Sequence, residues 1–349
     1  MKANEIVRNV VKEKLDRNEV VASMTIRLVR GVEIAQLAKT AGFDMIYIDL
    51  EHSTLTLEAT SQICQAALSA GVTPMVRIPA NTPEYIQRVL DGGALGIIAP
   101  GVCSADEARA VVRAAKFAPL GERGAGGALP HLEYRSFPTA EANAAINDAT
   151  MVIVQFESAE AVEKAEEIAA VEGVDMVLIG VNDLLADMGL AGQLEHPRVH
   201  DAYARTIAAC RKHGKHVGVG GLSTRPKLAA EFIAMGARML STGTDIQFLL
   251  AAMTEKAKQV HELDPVRRQP LHREGEGGIS LATNFHRLAP LSGRGPIITL
   301  AMMTVLVPNL LASKMRPMYH SIQRAESPLG KDGEPGTRVA RSTSKRNRP

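Results

Sequence analysis

Residues 44–78 read DMIYIDLEHSTLTLEATSQICQAALSAGVTPMVRI and contain one complete strand–helix–strand unit. The run 45–49 is apolar and short, as a buried strand is, whereas 57–70 repeats its apolar residues at helical spacing. Gly71 follows this helix, where a C-cap favours glycine, and a second apolar run occupies 73–78. Two strands joined by a helix pair in parallel, because the connection must cross back over the sheet.

The same alternation extends outward from this unit over about residues 20–263. The predicted strands are 20–26, 45–49, 73–78, 95–99, 151–156, 176–179, 216–219 and 239–241. The predicted helices are 32–40, 57–70, 83–90, 105–116, 159–170, 199–213, 225–235 and 245–263. Eight strand–helix repeats predict an α/β fold of the (β/α)8 TIM-barrel type, since eight parallel strands close such a barrel. An open, doubly wound sheet is the structural alternative.

Two segments interrupt this rhythm. Residues 117–150 form a long, Gly-rich insertion, which predicts a lid or a subunit-contact loop. From about residue 265 no further strand–helix unit occurs, so we predict a barrel domain at 1–264 and a basic, disordered tail at 265–349. The apolar run 296–312 within the tail is short for a membrane span. It favours a docked segment, or an unnatural extension of the reading frame, over a membrane role.

Composition and charge exclude several classes of protein. The chain is 46% apolar and only 3% aromatic, which favours an aliphatic and methionine-rich core in an α/β fold. Residues 270–349 hold 12 Lys and Arg against 5 Asp and Glu, and the remainder holds 28 against 33. The net charge of +2 indicates neither nucleic acid nor membrane as a partner. Three cysteines without ligand spacing and an N-terminus without a signal peptide predict a cytoplasmic protein.

Polar side chains follow several predicted strands at the ends where a (β/α)8 barrel places its active site. These are Asp49, Glu51 and His52 after the second strand, Arg77 in the third, Glu157 after the fifth and Asp183 after the sixth. A cation, an imidazole and several carboxylates facing one space predict a divalent metal and an anionic substrate.

Glu157 and Asp183 are a sparse pair of oxygen ligands, the arrangement that Mg²⁺ and Mn²⁺ prefer. Zinc is disfavoured because no His or Cys cluster accompanies them. Each carboxylate alone would also suit a helix cap, but their position on adjacent strands favours the metal. His52 is a candidate general base, and Arg77 a candidate clamp for a carboxylate or enolate oxygen. A satisfied polar histidine and a salt-bridged arginine are the alternatives.

Six separated segments resemble, in order, the HpcH/HpaI aldolase family. They are IDLEH (48–52), VRIP (76–79), VLDGGALGIIAP (89–100), FAPLGERG (117–124), VQFES (154–158) and IGVNDLLADMG (179–189). The resemblance covers about residues 20–262. It implies a metal-dependent lyase that cleaves a 4-hydroxy-2-oxo acid to pyruvate and an aldehyde through a metal-stabilised pyruvate enolate. It also implies Mg²⁺ or Mn²⁺, with Co²⁺ as an alternative, and a homo-oligomer, either a trimer or a hexamer.

The resemblance also implies roles for individual positions. It makes Glu157 and Asp183 the metal ligands, Arg77 the group on the pyruvate oxygen, and His52 the base. It pairs Asp91 with the histidine across a subunit interface and places Asp49 beside metal-bound water. It also implies that Gln155 is a pocket amide and that the backbone amides of Asn182 and Asp183 bind the pyruvate carboxylate. Arg123 would be a loop arginine near the mouth.

Two segments depart from the family pattern. Val181 and Asn182 replace the Pro or Ala often found before the metal-binding aspartate, and 24–29 lacks the usual aromatic residue near the first strand. The second departure predicts an altered aldehyde side. Two other functions stay open on sequence grounds: a thioester lyase of the citrate-lyase type on the same barrel, and a non-catalytic barrel whose basic tail binds an acidic partner.

Overall fold

The structure is a computed structural model that describes residues 1–264. The predicted tail, with its apolar run 296–312, lies outside the described residues. The strands are β1 Val21–Ile26, β2 Met45–Asp49, β3 Thr73–Arg77, β4 Gly96–Ala99, β5 Met151–Phe156, β6 Met176–Gly180, β7 His216–Gly220 and β8 Met239–Thr244. The helices are α1 Ala3–Ile6, α2 Val10–Asp16, α3 Glu33–Thr40, α4 Leu57–Ala70, α5 Pro83–Asp91, α6 Ala105–Ala115, α7 Thr139–Ala149, α8 Ala159–Glu163, α9 Ala165–Ala169, α10 Val181–Asp187, α11 Pro197–Lys212, α12 Pro226–Met235 and α13 Asp245–His261.

The eight strands form one closed parallel barrel in sequence order. Each strand pairs with its neighbours along the chain, and β8 returns to pair with β1. The predicted (β/α)8 barrel is therefore confirmed, and the open doubly wound sheet is wrong. Closure matters for function because it brings the carboxyl ends of all eight strands around one mouth.

The barrel interior is filled by side chains rather than open. Five methionines near the strand starts are fully buried: Met45, Met75, Met151, Met176 and Met239. Val11 and Leu15 of α2 belong to the same buried cluster, so this helix closes the barrel at the amino-terminal ends of the strands. The interior is aliphatic and methionine-rich, as the composition predicts.

The insertion 117–150 lies on the face of the barrel where the strands begin. It joins the end of α6 to the start of β5 and contains a short 3-10 helix, Pro130–Leu132, followed by α7. His131 Nε2 is 2.9 Å from the carbonyl oxygen of Ala94, two residues before β4. The predicted lid over this chain's own mouth is therefore wrong, because a helix-to-strand connection lies on the opposite face. The subunit-contact role stays a prediction.

The last helix covers little of the barrel wall. Asp245 is the only buried residue of α13, and Leu250, Met253 and Val260 are exposed. Alternate residues of β8 are correspondingly only half-buried, whereas every residue of β2 is buried. In the part of the chain that the structure describes, no helix is long and apolar enough to cross a membrane.

Candidate active site

The carboxyl ends of the strands surround a cavity of about 470 Å³. Five of the residues predicted from the sequence line it: His52, Arg77, Gln155, Asn182 and Asp183. They lie at or just beyond the carboxyl ends of β2, β3, β5 and β6, which the closed barrel arranges around one mouth. The structure thus brings these residues to one mouth, while their individual roles stay predictions.

Asp49 is fully buried and holds Arg77 by a bidentate ion pair. Arg77 Nε donates to Oδ1 at 2.9 Å and Nη2 donates to Oδ2 at 2.6 Å. Arg77 Nη1 also lies 2.8 Å from Glu51 Oε2. Burial alone would raise the pKa of Asp49, but hydrogen bonds and charge from Arg77, with smaller contributions from His52 and Arg27, outweigh it and lower the pKa. Asp49 therefore stays ionised and fixes the guanidinium in the mouth.

Arg27 is a cavity residue that the sequence analysis did not single out. It follows β1 directly, and its Nε donates to Asp49 Oδ2 at 2.6 Å. Asp49, at the end of β2, thus joins two guanidinium groups from the two strands that flank its own, β1 and β3. The sequence feature that could have identified Arg27 is the one that identified Arg77: a charged residue at the carboxyl end of a predicted strand.

His52 projects into the mouth with 53% of its side chain exposed. Its backbone N–H donates to Asp49 Oδ1 at 3.2 Å, and its Nε2 lies 3.8 Å from Glu51 Oε2. The backbone is therefore fixed while the imidazole remains accessible to a bound molecule.

Glu157 is half-buried beside Gln155, whose Nε2 donates to its Oε1 at 2.6 Å. Gly180, at the end of β6, makes room for both side chains. A Cβ atom there would lie 2.7 Å from Gln155 Nε2 and 3.1 Å from Glu157 Cγ. Any larger residue at this position would displace the pair.

The pKa of Glu157 is raised to about 7. Burial has the largest effect, and the negative charges of Glu51 and Asp183 add to it. The charge of Arg77 and a backbone hydrogen bond from Gly101 oppose the rise without cancelling it. Glu51 and Asp183 are thus close enough for their negative charge to act on Glu157, and a bound cation would offset this repulsion.

The donor set fits a sparsely ligated cation. Within residues 1–264, no group of three or more His, Cys, Asp or Glu side chains has metal-ligating geometry. As a pair of oxygen ligands, Glu157 and Asp183 would leave most positions to water and substrate, as Mg²⁺ and Mn²⁺ prefer. The buried Oε1 of Gln155, which has no hydrogen-bond partner among these residues, is a further acceptor at the same place.

Asp91 and Arg123 lie away from this mouth within the chain. Asp91 ends α5, on the face where the strands begin, and its Oδ1 accepts from Arg123 Nη2 at 2.7 Å. The Arg123 side chain is only 1% exposed, and its guanidinium lies 4.5 Å from the ring centre of Phe117. The prediction of Arg123 as a loop arginine near this chain's mouth is corrected, because the insertion that carries it follows a helix. The cross-subunit role of Asp91 stays a prediction.

A second cavity, of about 570 Å³, lies on this opposite face. It is lined by residues of α4 and the insertion and includes Arg8, His131 and Tyr134. None of the predicted site residues lines it, so its larger volume does not make it the stronger candidate for the active site.

A protein-family model described as HpcH/HpaI aldolase/citrate lyase matches residues 31–275. The match spans more than half of the chain and includes every strand end described above except that of β1. The chain belongs to the HpcH/HpaI aldolase/citrate lyase family. The resemblance seen in the six sequence segments is confirmed.

Fungal members of the HpcH/HpaI family are similar over most of their length. A 4-hydroxy-4-methyl-2-oxoglutarate aldolase from Hapsidospora irregularis is 45% identical over 222 residues, which are 63% of this chain and 82% of that protein. Another with the same description, from Chaetomium globosum, is 38% identical over 262 residues, or 74% of this chain and 97% of that protein.

A solved HpcH/HpaI structure has the same fold. The crystal structure of an HpcH/HpaI aldolase from Desulfitobacterium hafniense is 34% identical to this chain, with a TM-score of 0.70. The alignment covers 74% of this chain and 99% of the bacterial one. The barrel as a whole therefore corresponds to a complete HpcH/HpaI subunit.

Proposed function

We propose that this chain is a divalent-metal-dependent aldolase that cleaves a 4-hydroxy-2-oxo acid to pyruvate and an aldehyde or ketone. The observation that carries the proposal is the position of Glu157 and Asp183 in the same mouth as Arg77, with excess carboxylate on one side and a fixed cation on the other. Family membership and relatives named for the cleavage of a 4-hydroxy-4-methyl-2-oxo diacid support it.

Glu157 and Asp183 would hold the cation, either Mg²⁺ or Mn²⁺, with Co²⁺ as an alternative. When bound, the cation polarises the 2-oxo carbonyl group as a Lewis acid. Asn182 and Asp183 stand in the first turn of α10, whose starting N–H groups no side chain caps. These N–H groups would receive the substrate's carboxylate next to the 2-oxo group, and the amide of Gln155 would contact the same end of the substrate.

The protein side chains then provide proton transfer and charge stabilisation. His52 accepts the proton of the C4 hydroxyl, so that a carbonyl forms at C4 and the C3–C4 bond breaks. The electron pair of that bond passes into the pyruvate fragment, and negative charge develops on the 2-oxo oxygen. Arg77, held by Asp49, donates an N–H to that oxygen. A proton returned to C3 completes the methyl group of pyruvate.

We also propose that the protein self-associates and acts in the cytoplasm on small molecules alone. Support for self-association comes from α13, which exposes Leu250, Met253 and Val260 to solvent in a single chain. Light scattering coupled to gel filtration tests this proposal, and a monomer at micromolar concentration would contradict it. The trimer or hexamer implied by the family resemblance stays a prediction.

The decisive test is deuterium exchange into the methyl group of pyruvate, followed by proton NMR. The purified full chain is supplied with Mn²⁺ or Mg²⁺, or with a chelator. We expect exchange only with metal, accompanied by metal-dependent release of pyruvate from 4-hydroxy-4-methyl-2-oxoglutarate. A folded, metal-supplied sample that neither exchanges the methyl protons nor releases pyruvate would contradict the proposed function and favour the thioester-lyase alternative.

A further inference from the structure

We propose that Arg27 binds a carboxylate on the carbonyl fragment released by cleavage, so that the enzyme prefers dicarboxylate substrates to those with a neutral second end. This inference rests on the proposed aldolase function and extends it by assigning the second substrate subsite. Arg27 would bind the part of the substrate beyond C4. Arg77, Glu157 and Asp183 would act on the part that becomes pyruvate.

Arg27 retains unused hydrogen-bonding capacity. Its Nε is engaged with Asp49, but within the described residues no hydrogen bond involves Nη1 or Nη2. The side chain is 33% exposed and lines the 470 Å³ cavity. A guanidinium with two free nitrogens at the wall of a cavity presents the donor fork that matches a carboxylate.

Arg77 differs from Arg27 in both its contacts and its exposure. All three nitrogens of Arg77 contact carboxylates of Asp49 or Glu51, and its side chain is only 4% exposed. Arg27 Nε and Arg77 Nη2 each lie 2.6 Å from the same oxygen of Asp49, so the two guanidinium groups are immediate neighbours. The more exposed one is therefore close to the reacting carbons yet free to bind a second charged group.

The backbone that carries Arg27 is fixed in place. Asp245, only 2% exposed, accepts the backbone N–H of Arg27 at 3.0 Å, of Leu28 at 2.9 Å and of Val29 at 2.8 Å. With Asp49 holding Nε as well, Arg27 is anchored at both its backbone and its guanidinium. Such preorganisation lowers the entropic cost of binding a ligand group.

The test compares cleavage of three substrates by the full chain with Mn²⁺, measured as pyruvate release. 4-Hydroxy-4-methyl-2-oxoglutarate carries its second carboxylate on the reacting carbon, 4-hydroxy-2-oxoheptane-1,7-dioate carries it at a distance, and 4-hydroxy-2-oxohexanoate has no second carboxylate. The variants are Arg27→Gln and Arg27→Lys. The matched control is Arg30→Gln, an exposed arginine three residues on that bonds Thr54.

We expect wild-type kcat/KM to favour a dicarboxylate over the neutral substrate. In Arg27→Gln this preference should fall roughly 10- to 150-fold, the effect of a lost charge-assisted hydrogen bond, mainly through a higher KM. Arg27→Lys should retain part of the preference, and Arg30→Gln all of it. The dicarboxylate whose kcat/KM falls more in Arg27→Gln shows which carboxylate Arg27 binds, the one on the reacting carbon or the distant one.

Two results would overturn the inference while leaving the aldolase proposal intact. One is a wild-type enzyme without preference for either dicarboxylate. The other is an equal loss for all three substrates in Arg27→Gln, which would make Arg27 only a positioning residue for Asp49. If Arg27→Gln does not fold, Arg27→Lys decides between the same outcomes. Absence of methyl exchange in the wild-type chain would instead remove the aldolase proposal itself, and this inference with it.

Discussion

Asp49 shows how one buried side chain organises the mouth of the barrel. Its two oxygens accept hydrogen bonds from Arg77 and Arg27, and the backbone N–H groups of Glu51 and His52 also donate to it. A fully buried carboxylate is costly unless each lone pair has a donor. Here Arg27, Arg77 and His52 also line the cavity, so the same contacts that stabilise Asp49 orient the cavity wall.

The metal assignment predicts the behaviour of Glu157→Gln and Asp183→Asn. Each replacement removes a charged oxygen ligand at nearly constant volume, so Mn²⁺ affinity should fall by on the order of 100-fold or more. Calorimetric titration with Mn²⁺ measures this, and metal-dependent methyl exchange should be lost in parallel. Glu160→Gln, an exposed carboxylate paired with Lys164, is the matched control and should keep both. Unchanged Mn²⁺ affinity in either site variant would remove that ligand from the assignment.

His131 predicts a pH dependence of stability. Burial, reinforced by the charge of Arg123, lowers its pKa to about 4, although its hydrogen bond to the Ala94 carbonyl and the charge of Asp91 oppose the shift. Between pH 6.5 and 4 the unfolded chain takes up a proton that the folded chain refuses. The free energy of unfolding therefore falls as the pH drops through this window, by on the order of 3 kcal/mol from this residue.

The measurement is urea unfolding of the wild-type chain and His131→Gln at several pH values from 7 to 4.5. The stability advantage of the wild-type chain over the variant should shrink as the pH falls, because glutamine does not titrate. His261→Gln, on exposed α13, should follow the wild-type curve. A wild-type advantage that stays constant with pH would contradict the assignment.

At the scale of elements, the alternation of strands and helices was enough to predict the barrel and the positions of its strands. The strands lie where the apolar runs predicted them, and polar residues at their carboxyl ends do meet, because closure of the barrel leaves them no other place. The placement of Arg123 was wrong since order along the chain does not say which face a segment occupies. The type of connection does: 117–150 leads from a helix to a strand and so belongs to the face opposite the mouth.

The ion pair between α5 and the insertion predicts a stability effect. Arg123 is buried, two of its nitrogens have no hydrogen-bond partner among the described residues, and burial lowers its pKa. Asp91→Asn would leave this cation without its charged partner. Because Asp91 is 41% exposed, we expect a loss of about 1–3 kcal/mol, less than for a fully buried pair.

Thermal unfolding by circular dichroism measures this loss as a fall in Tm of a few degrees for a chain of this size. Glu133→Gln, which breaks the exposed pair with Arg135 on the same face, is the control and should change Tm little. An unchanged Tm in Asp91→Asn, together with lost activity, would assign Asp91 a purely catalytic role.

At the scale of the whole molecule, residues 1–264 contain the closed sheet, its filled interior and the helices around it. We therefore predict that a chain ending at Asp264 folds with the same far-ultraviolet circular dichroism and the same metal-dependent methyl exchange as the full chain. Loss of cooperative unfolding in the shortened chain would show instead that 265–349 contribute to the fold.

The sparse cover of α13 leaves the β1–β8 seam of the barrel more open to solvent than strands whose residues are all buried. The β1–β8 pairing shifts register between Ser23 and Thr25, and beyond it the amides of Leu28 and Val29 depend on Asp245 alone. Backbone amides along such a seam should open to solvent at lower free energy than those of the well-covered β2–β6 arc. An anion bound to Arg27 would stabilise the end of β1 against this opening. Protection of these backbone amides against hydrogen exchange should therefore rise with ligand concentration and measure how much of the site is occupied.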